Sequence, residues 1–138
     1  MRQSRTWQLL GGGLIGLMLS LSGCGEADDR PLVSGSVTLD GDPVPEGEVM
    51  LVPTDMAVAT DAGPIQNGRY RVRTTPGAKR VMIYWERDHP TDKIPGPDPG
   101  VMVPRAQQLI PARYNDATEL EVQVQPGANT FDFALESE

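Results

Sequence analysis

Val33-Ser34-Gly35-Ser36-Val37-Thr38-Leu39-Asp40-Gly41-Asp42-Pro43 is the stretch on which the fold of this chain turns. Val33, Gly35, Val37 and Leu39 alternate with Ser34, Ser36 and Thr38, and a period of two puts one face inward and the other in water. The pattern predicts a half-buried strand. It stops at Asp40-Gly41, where an Asp-Gly pair supplies the positive φ of a tight hairpin turn. The chain is expected to reverse there into a return strand over Glu48-Val49-Met50-Leu51-Val52.

The same grammar repeats outward from this turn. Asn67-Gly68 marks a second turn before Arg69 to Arg73, where Tyr70 and Val72 alternate with three arginines. Pro76-Gly77 breaks the chain before Lys79 to Glu86, a run of β-formers whose positions Val81, Ile83 and Trp85 are expected in the core. Leu120, Val122 and Val124 alternate with polar residues, and Pro126-Gly127-Ala128-Asn129 then turns into Phe131, Phe133 and Leu135. Thr54 to Pro64 reads as polar and irregular, with a short strand at Val58 to Thr60. Arg87 to Pro111 reads as a long loop of 25 residues without periodicity, carrying Pro90, Pro95, Pro97, Pro99, Pro104 and Pro111. Fifteen glycines and thirteen prolines spread between short β-branched runs leave helices few places to form. The expected fold is all-β, an antiparallel two-sheet sandwich of about seven strands, immunoglobulin-like or transthyretin-like, with a small closed barrel as the alternative.

The N-terminus is of another kind. Arg2 and Arg5 precede Leu9 to Leu21, thirteen residues without a charge, which is the pattern of a secretory signal. A permanent span needs roughly 20 apolar residues, so this segment is too short for one. Leu21-Ser22-Gly23-Cys24 follows and contains the only cysteine. It resembles a bacterial lipobox, which implies cleavage before Cys24 and a diacylglyceryl group on its sulfur; an ordinary secretory signal with an incidental cysteine is the alternative. The division is then 1–23 signal peptide, 24–32 lipidated end and spacer, 33–138 sandwich, with Gly25 to Pro31 read as a solvated spacer. Gly25 stands where some lipoprotein-sorting systems place an aspartate that retains the protein at the inner membrane.

Removing residues 1–23 takes away two of twelve basic residues and none of nineteen acidic ones. Ten against nineteen argues against a nucleic-acid partner, because phosphate binding rests on clustered Lys and Arg. It argues equally against attraction to anionic headgroups, so a lipid on Cys24 would have to be the tether. With that cysteine modified, no thiol remains for a disulfide, a nucleophile or a metal.

Several stretches together resemble the carboxypeptidase regulatory-like, transthyretin-like β-sandwich of short bacterial lipoproteins. They are Val33 to Val44, Asn67-Gly68-Arg69-Tyr70, Pro76-Gly77, Ile110-Pro111-Ala112-Arg113-Tyr114-Asn115, and Pro126-Gly127-Ala128-Asn129-Thr130-Phe131-Asp132-Phe133. The resemblance covers about Val33 to Leu135 and implies an accessory or cell-surface module without catalysis. Where the family shows an Asp-x-x-Gly turn before its central strand, this chain reads Thr60-Asp61-Ala62-Gly63 and then Gln66-Asn67-Gly68.

Candidate sites each have two readings. Tyr84, Trp85 and Tyr114 are stacking platforms for a sugar or partner, or Trp85 belongs to the core. Arg69, Arg71 and Arg73, with Lys79 and Arg80 nearby, form a basic stripe for an acidic glycan or lipid phosphate, or a solvated face paired with Glu119, Glu121 or Glu86. Asp40, Asp42, Asp28, Asp29 and Asp61 offer oxygen donors to calcium, or serve turns. Transthyretin-like folds also host a hydrolase whose site needs several histidines, and His89 is alone here. No catalytic residue, metal or other cofactor is expected. The sequence reading is a non-enzymatic, membrane-anchored envelope lipoprotein acting as a structural or protein-interaction module, with an envelope protein or glycan as its partner. A carbohydrate-binding module is the alternative, and a hydrolase the more distant one.

Overall fold

The computed structural model describes Gly25 and residues 27–138; the expected signal segment and Cys24 lie outside the described residues. The strands are β1 Leu32–Leu39, β2 Asp42–Pro43, β3 Glu46–Pro53, β4 Asp61–Gln66, β5 Arg69–Arg73, β6 Gly77–Tyr84, β7 Glu86–Pro95, β8 Met102–Gln108, β9 Glu121–Val124, β10 Ala128–Thr130 and β11 Phe133–Leu135, with a 3-10 turn at Ala112–Tyr114. The fold is all-β, as the alternation predicts. One curled sheet runs β10-β1-β5-β4-β3-β6-β9, with β2 and β11 on the second half of β1, while β7 and β8 form a separate two-stranded sheet. After their tight turn, β4 and β5 keep only Ile65↔Tyr70 and Gln66↔Arg69 in register, so the sheet folds over on itself there. Gly63 permits the close crossing, since a Cβ would meet the Arg71 carbonyl and the Val72 side chain.

Between the two layers lie Val33 and Val37 of β1, Tyr70 and Val72 of β5, Val49 and Leu51 of β3, and Val81 and Ile83 of β6, all buried. Each fully buried aliphatic of this size contributes roughly 1.5–3 kcal/mol, and this core carries the stability.

Asp40-Gly41 forms the expected turn, with positive φ of 52° and 90°. Its return strand is short, however. Only Asp42 and Pro43 pair with β1, because Pro43 and Pro45 lack the N–H groups that would continue the ladder. The chain crosses to the other layer, where β3, the expected partner, pairs with β4 and β6 instead. The short strand expected at Val58 to Thr60 is absent, and β4 takes its place a few residues later. Every pairing among the described residues is antiparallel except those of β1 with β10 and β11. The last strands return beside the first.

The single strand expected through Phe131 to Leu135 is broken at Phe131-Asp132. Asp132 Oδ1 accepts the Ser36 N–H at 2.7 Å and the Ser36 hydroxyl at 2.8 Å, taking the place of a ladder carbonyl. These bonds hold its carboxyl below the usual range. The Phe131 carbonyl instead turns over Gly35 and accepts the Tyr70 hydroxyl at 2.8 Å.

Lys79 corrects the basic stripe. It continues the inward series of Val81 and Ile83 and is 1% exposed, its Nζ donating to Thr75 Oγ1 at 2.7 Å. Burial lowers its pKa against the opposing pull of Asp61. The folded state therefore sheds this proton more readily than the unfolded chain, and stability should rise as pH climbs toward the ordinary lysine range. Lys79→Met is expected to raise stability by about 1–2 kcal/mol at neutral pH and to flatten that alkaline rise. Urea midpoints measured across pH test both, and an unchanged or lower midpoint at neutral pH overturns the prediction.

The segment expected as a loop over 87–111 is a hairpin arm. β7 and β8 pair from Glu86↔Gln108 to Pro95↔Met102, with an irregularity between Asp88 and Lys93. His89 Nδ1 fills that irregularity by accepting the N–H groups of Thr91 and Asp92, the latter at 2.9 Å. The arm showed no periodicity because nearly all of it is exposed on both faces. Gln108 Oε1 clamps the root, accepting the N–H of Trp85 at 2.9 Å and of Ile110 at 3.0 Å.

Strand register defines two poles. Leu32, Arg73, Asp61 and Val124 share one end, where residues 27–31 enter; Leu39, Arg69, Gln66, Glu46 and Tyr84 share the other, from which the arm leaves. The expected solvated spacer is partly docked at its pole: Arg30 pairs with Asp61 at 2.7 Å and Asp28 at 2.8 Å, and Pro31 is buried. Arg30 pulls the Asp28 carboxyl down to about 2.

Candidate functional site

The arm pole gathers the aromatic candidates, yet it does not make one platform of them. Tyr84 and Trp85 are consecutive, so they leave the sheet on opposite faces. Trp85 packs against the core. Tyr84 faces outward, half-buried, and its hydroxyl donates to Asp116 at 3.0 Å; burial raises its pKa first, with Asp116, Glu86 and Glu48 adding to the effect. Tyr114 also packs on the core and accepts the Glu136 N–H at 3.2 Å, while the Arg113 guanidinium sits 5.0 Å from its ring centroid. Arg113 donates in turn to the Glu136 and Glu138 carbonyls. The Pro-Ala-Arg-Tyr-Asn stretch thus fastens the C-terminal residues.

Arg69, Arg71 and Arg73 do share the exposed face of β5. Their expected acidic neighbours lie elsewhere, because β5 pairs with β1 and β4 while Glu121 of β9 stands opposite Arg80. Arg73 donates to the Arg30 carbonyl at 2.8 Å, so the stripe is solvated and tied to the entering chain. The aspartates considered for calcium are scattered. Asp40 accepts the Ser137 N–H at 2.9 Å, and bonding from Ser137 lowers its pKa, whereas Asp28 and Asp61 bind Arg30 at the opposite pole. Among the described residues no three acidic, histidine or cysteine side chains come together as a metal site, and no helix is long and apolar enough to cross a membrane.

A groove that the sequence did not disclose lies at the foot of the arm. It is open, holds about 710 Å³, and crosses the outer face of β4, β3 and β6. Met50, Pro64 and Tyr84 line it together with Glu46, Glu48 and Glu86, and Glu48 lies on the middle strand. Register assembles it: Glu48 stands opposite Pro64 on one side and Tyr84 on the other, and Glu46 opposite Gln66. Residues 46, 64 and 84 are far apart in the chain, and only strand order joins them.

No protein-family model matches the chain, and no curated protein matches it. Among solved structures it is similar to a 9R-lipoxygenase from Cyanothece PCC8801, at 14% identity and a TM-score of 0.38, over 96% of this chain and 18% of that one. The chain thus spans under a fifth of that protein, and the likeness carries no inference.

Proposed function

We propose that the chain is a membrane-anchored lipoprotein of the cell envelope, without catalytic activity, whose carboxypeptidase regulatory-like β-sandwich acts as a structural or protein-interaction module. The observation that carries this reading is Leu21-Ser22-Gly23-Cys24, which sets the only cysteine directly after a charged and then apolar N-terminus. Two acyl chains on one residue anchor stably, at about 0.8 kcal/mol for each buried methylene. The fold supports the reading through its polarity. Residues 27–31 enter at one end and the hairpin arm leaves at the other, so a tether at Cys24 would display the arm away from the bilayer. The arm itself suits contact: a lone two-stranded hairpin is marginal in water, and this one exposes Val101 and Met102 at 46% and 51%.

Mass spectrometry of the native protein should find a mature N-terminus at Cys24 carrying diacylglyceryl and a fatty amide such as palmitoyl. Cys24→Ala should move the chain from the membrane to the soluble fraction. An unmodified thiol, or a variant that stays with the membrane, would refute the anchor.

A further inference from the structure

The groove at the foot of the arm sets apolar residues beside carboxylates, and its charge is of one sign. Glu46, Glu48 and Glu86 line it, with Glu48 between Pro64 and Tyr84, and none of its lining residues is basic. The ion pairs among the described residues, Arg30 with Asp28 and Asp61 and Arg105 with Asp92, leave all three glutamates without a cation. Asp116 adds a fourth carboxylate through the Tyr84 hydroxyl. Like charges gathered among apolar residues repel one another and lower the local potential, and a cation arriving there relieves both. Strands lie about 4.8 Å apart, so a groove across β4, β3 and β6 spans about 10 Å, the length of roughly three residues of extended chain at 3.3 Å each. A peptide of that kind can set apolar side chains on Met50, Pro64 and Tyr84 while its long basic side chains reach Glu46, Glu48 and Glu86.

We propose that this groove docks an extended segment of a protein partner that carries lysine or arginine between apolar residues. The proposal deepens the reading of the domain as an interaction module and rests on it for one point, that the arm pole faces away from the bilayer. Complementary charge sets encounter rate and orientation, and the apolar lining residues supply the contact area.

The test uses the full chain in uncharged detergent micelles and fluorescence anisotropy of a labelled octapeptide alternating lysine and valine. A matching octapeptide with glutamate in place of lysine serves as the comparison. Saturable binding of the lysine peptide alone is expected, weakening about tenfold from low to high salt. The exposed, isosteric triple change Glu46→Gln, Glu48→Gln, Glu86→Gln should lower affinity at least about tenfold, while Arg80→Gln, on the same sheet face outside the groove, should not weaken it. Equal binding of both peptides, or a triple variant that binds like the parent, overturns the proposal. So does complete displacement of the lysine peptide by spermine at equal charge, which would make the site one for small polycations. Mass spectrometry of the same preparation separates the two readings. An unlipidated Cys24 with intact peptide binding defeats the anchor alone, and a lipidated chain that ignores the peptide defeats the groove alone.

Discussion

Gly35→Val is expected to destabilise the protein by about 3 kcal/mol, at the upper end of what overpacking costs. Valine is the better strand former, and intrinsic preference by itself predicts a gain of up to about 1 kcal/mol. Sterics should win. A Cβ at position 35 would overlap the Phe131 carbonyl oxygen, and the neighbouring atom is rigid backbone rather than the end of a flexible side chain. Moving that carbonyl also pulls it from the Tyr70 hydroxyl, which is held at 2.8 Å, and strains the Phe131 N–H bond to the Ser34 carbonyl at 3.0 Å. Even Gly35→Ala should cost more than about 2 kcal/mol, whereas Ser36→Ala, which keeps the backbone bond to Asp132, should cost about 1 kcal/mol. Urea midpoints for the three variants would check the order. A Gly35→Ala protein within about 0.5 kcal/mol of the parent would mean that Phe131 can withdraw freely.

Asn115→Leu should be of similar size, about 2–4 kcal/mol, for a different reason. The Asn115 side chain is buried. Its Nδ2 donates to the carbonyls of Ile110 at 3.1 Å and Pro111 at 3.3 Å, while its Oδ1 accepts the Asp116 N–H at 2.8 Å. Leucine fills the volume and satisfies none of them, and a buried backbone group left without a partner costs about 1–3 kcal/mol. Asn115→Asp should be no better, since it turns a donor into an acceptor facing carbonyl oxygens. Because Ile110 follows the arm's clamp at Gln108, hydrogen exchange at Gln108 to Ile110 should quicken in both variants. A loss below about 1 kcal/mol with unchanged exchange would show that water replaces the amide without cost.

These two positions also mark where reading the chain succeeds and fails. β1, β5, β6 and β9 were legible because each has one buried face, and burial imprints a period of two. β4 was not. Its inward residues are Gly63 and Ile65, and a glycine with Pro64 beside it reads as a turn until the crossing of β5 explains it. The arm escaped because exposure on both faces removes the pressure that makes strands alternate. Lys79 is charged and close in sequence to the basic stripe, yet the alternation through Val81 and Ile83 carries it inward. Asn115 and Asn129 are buried polar residues held by bonds to distant or turn backbone, a relationship that leaves no pattern along the chain. The groove needs three strands in register before its glutamates meet. The stretch that resembles a lipobox, Leu21 to Cys24, is the reverse case, plain in the sequence and outside the described residues.

β1 is gripped along one edge by Ala128–Thr130 and Phe133–Leu135, nearly the whole length of the domain away. β5 and β2 pair with the other edge of β1 much earlier in the chain, but this edge is completed only by the closing of a large loop, a non-local step that slows folding. Until β10 and β11 arrive, one edge of β1 stays unpaired, so the sheet is completed last beside the strand with which it begins.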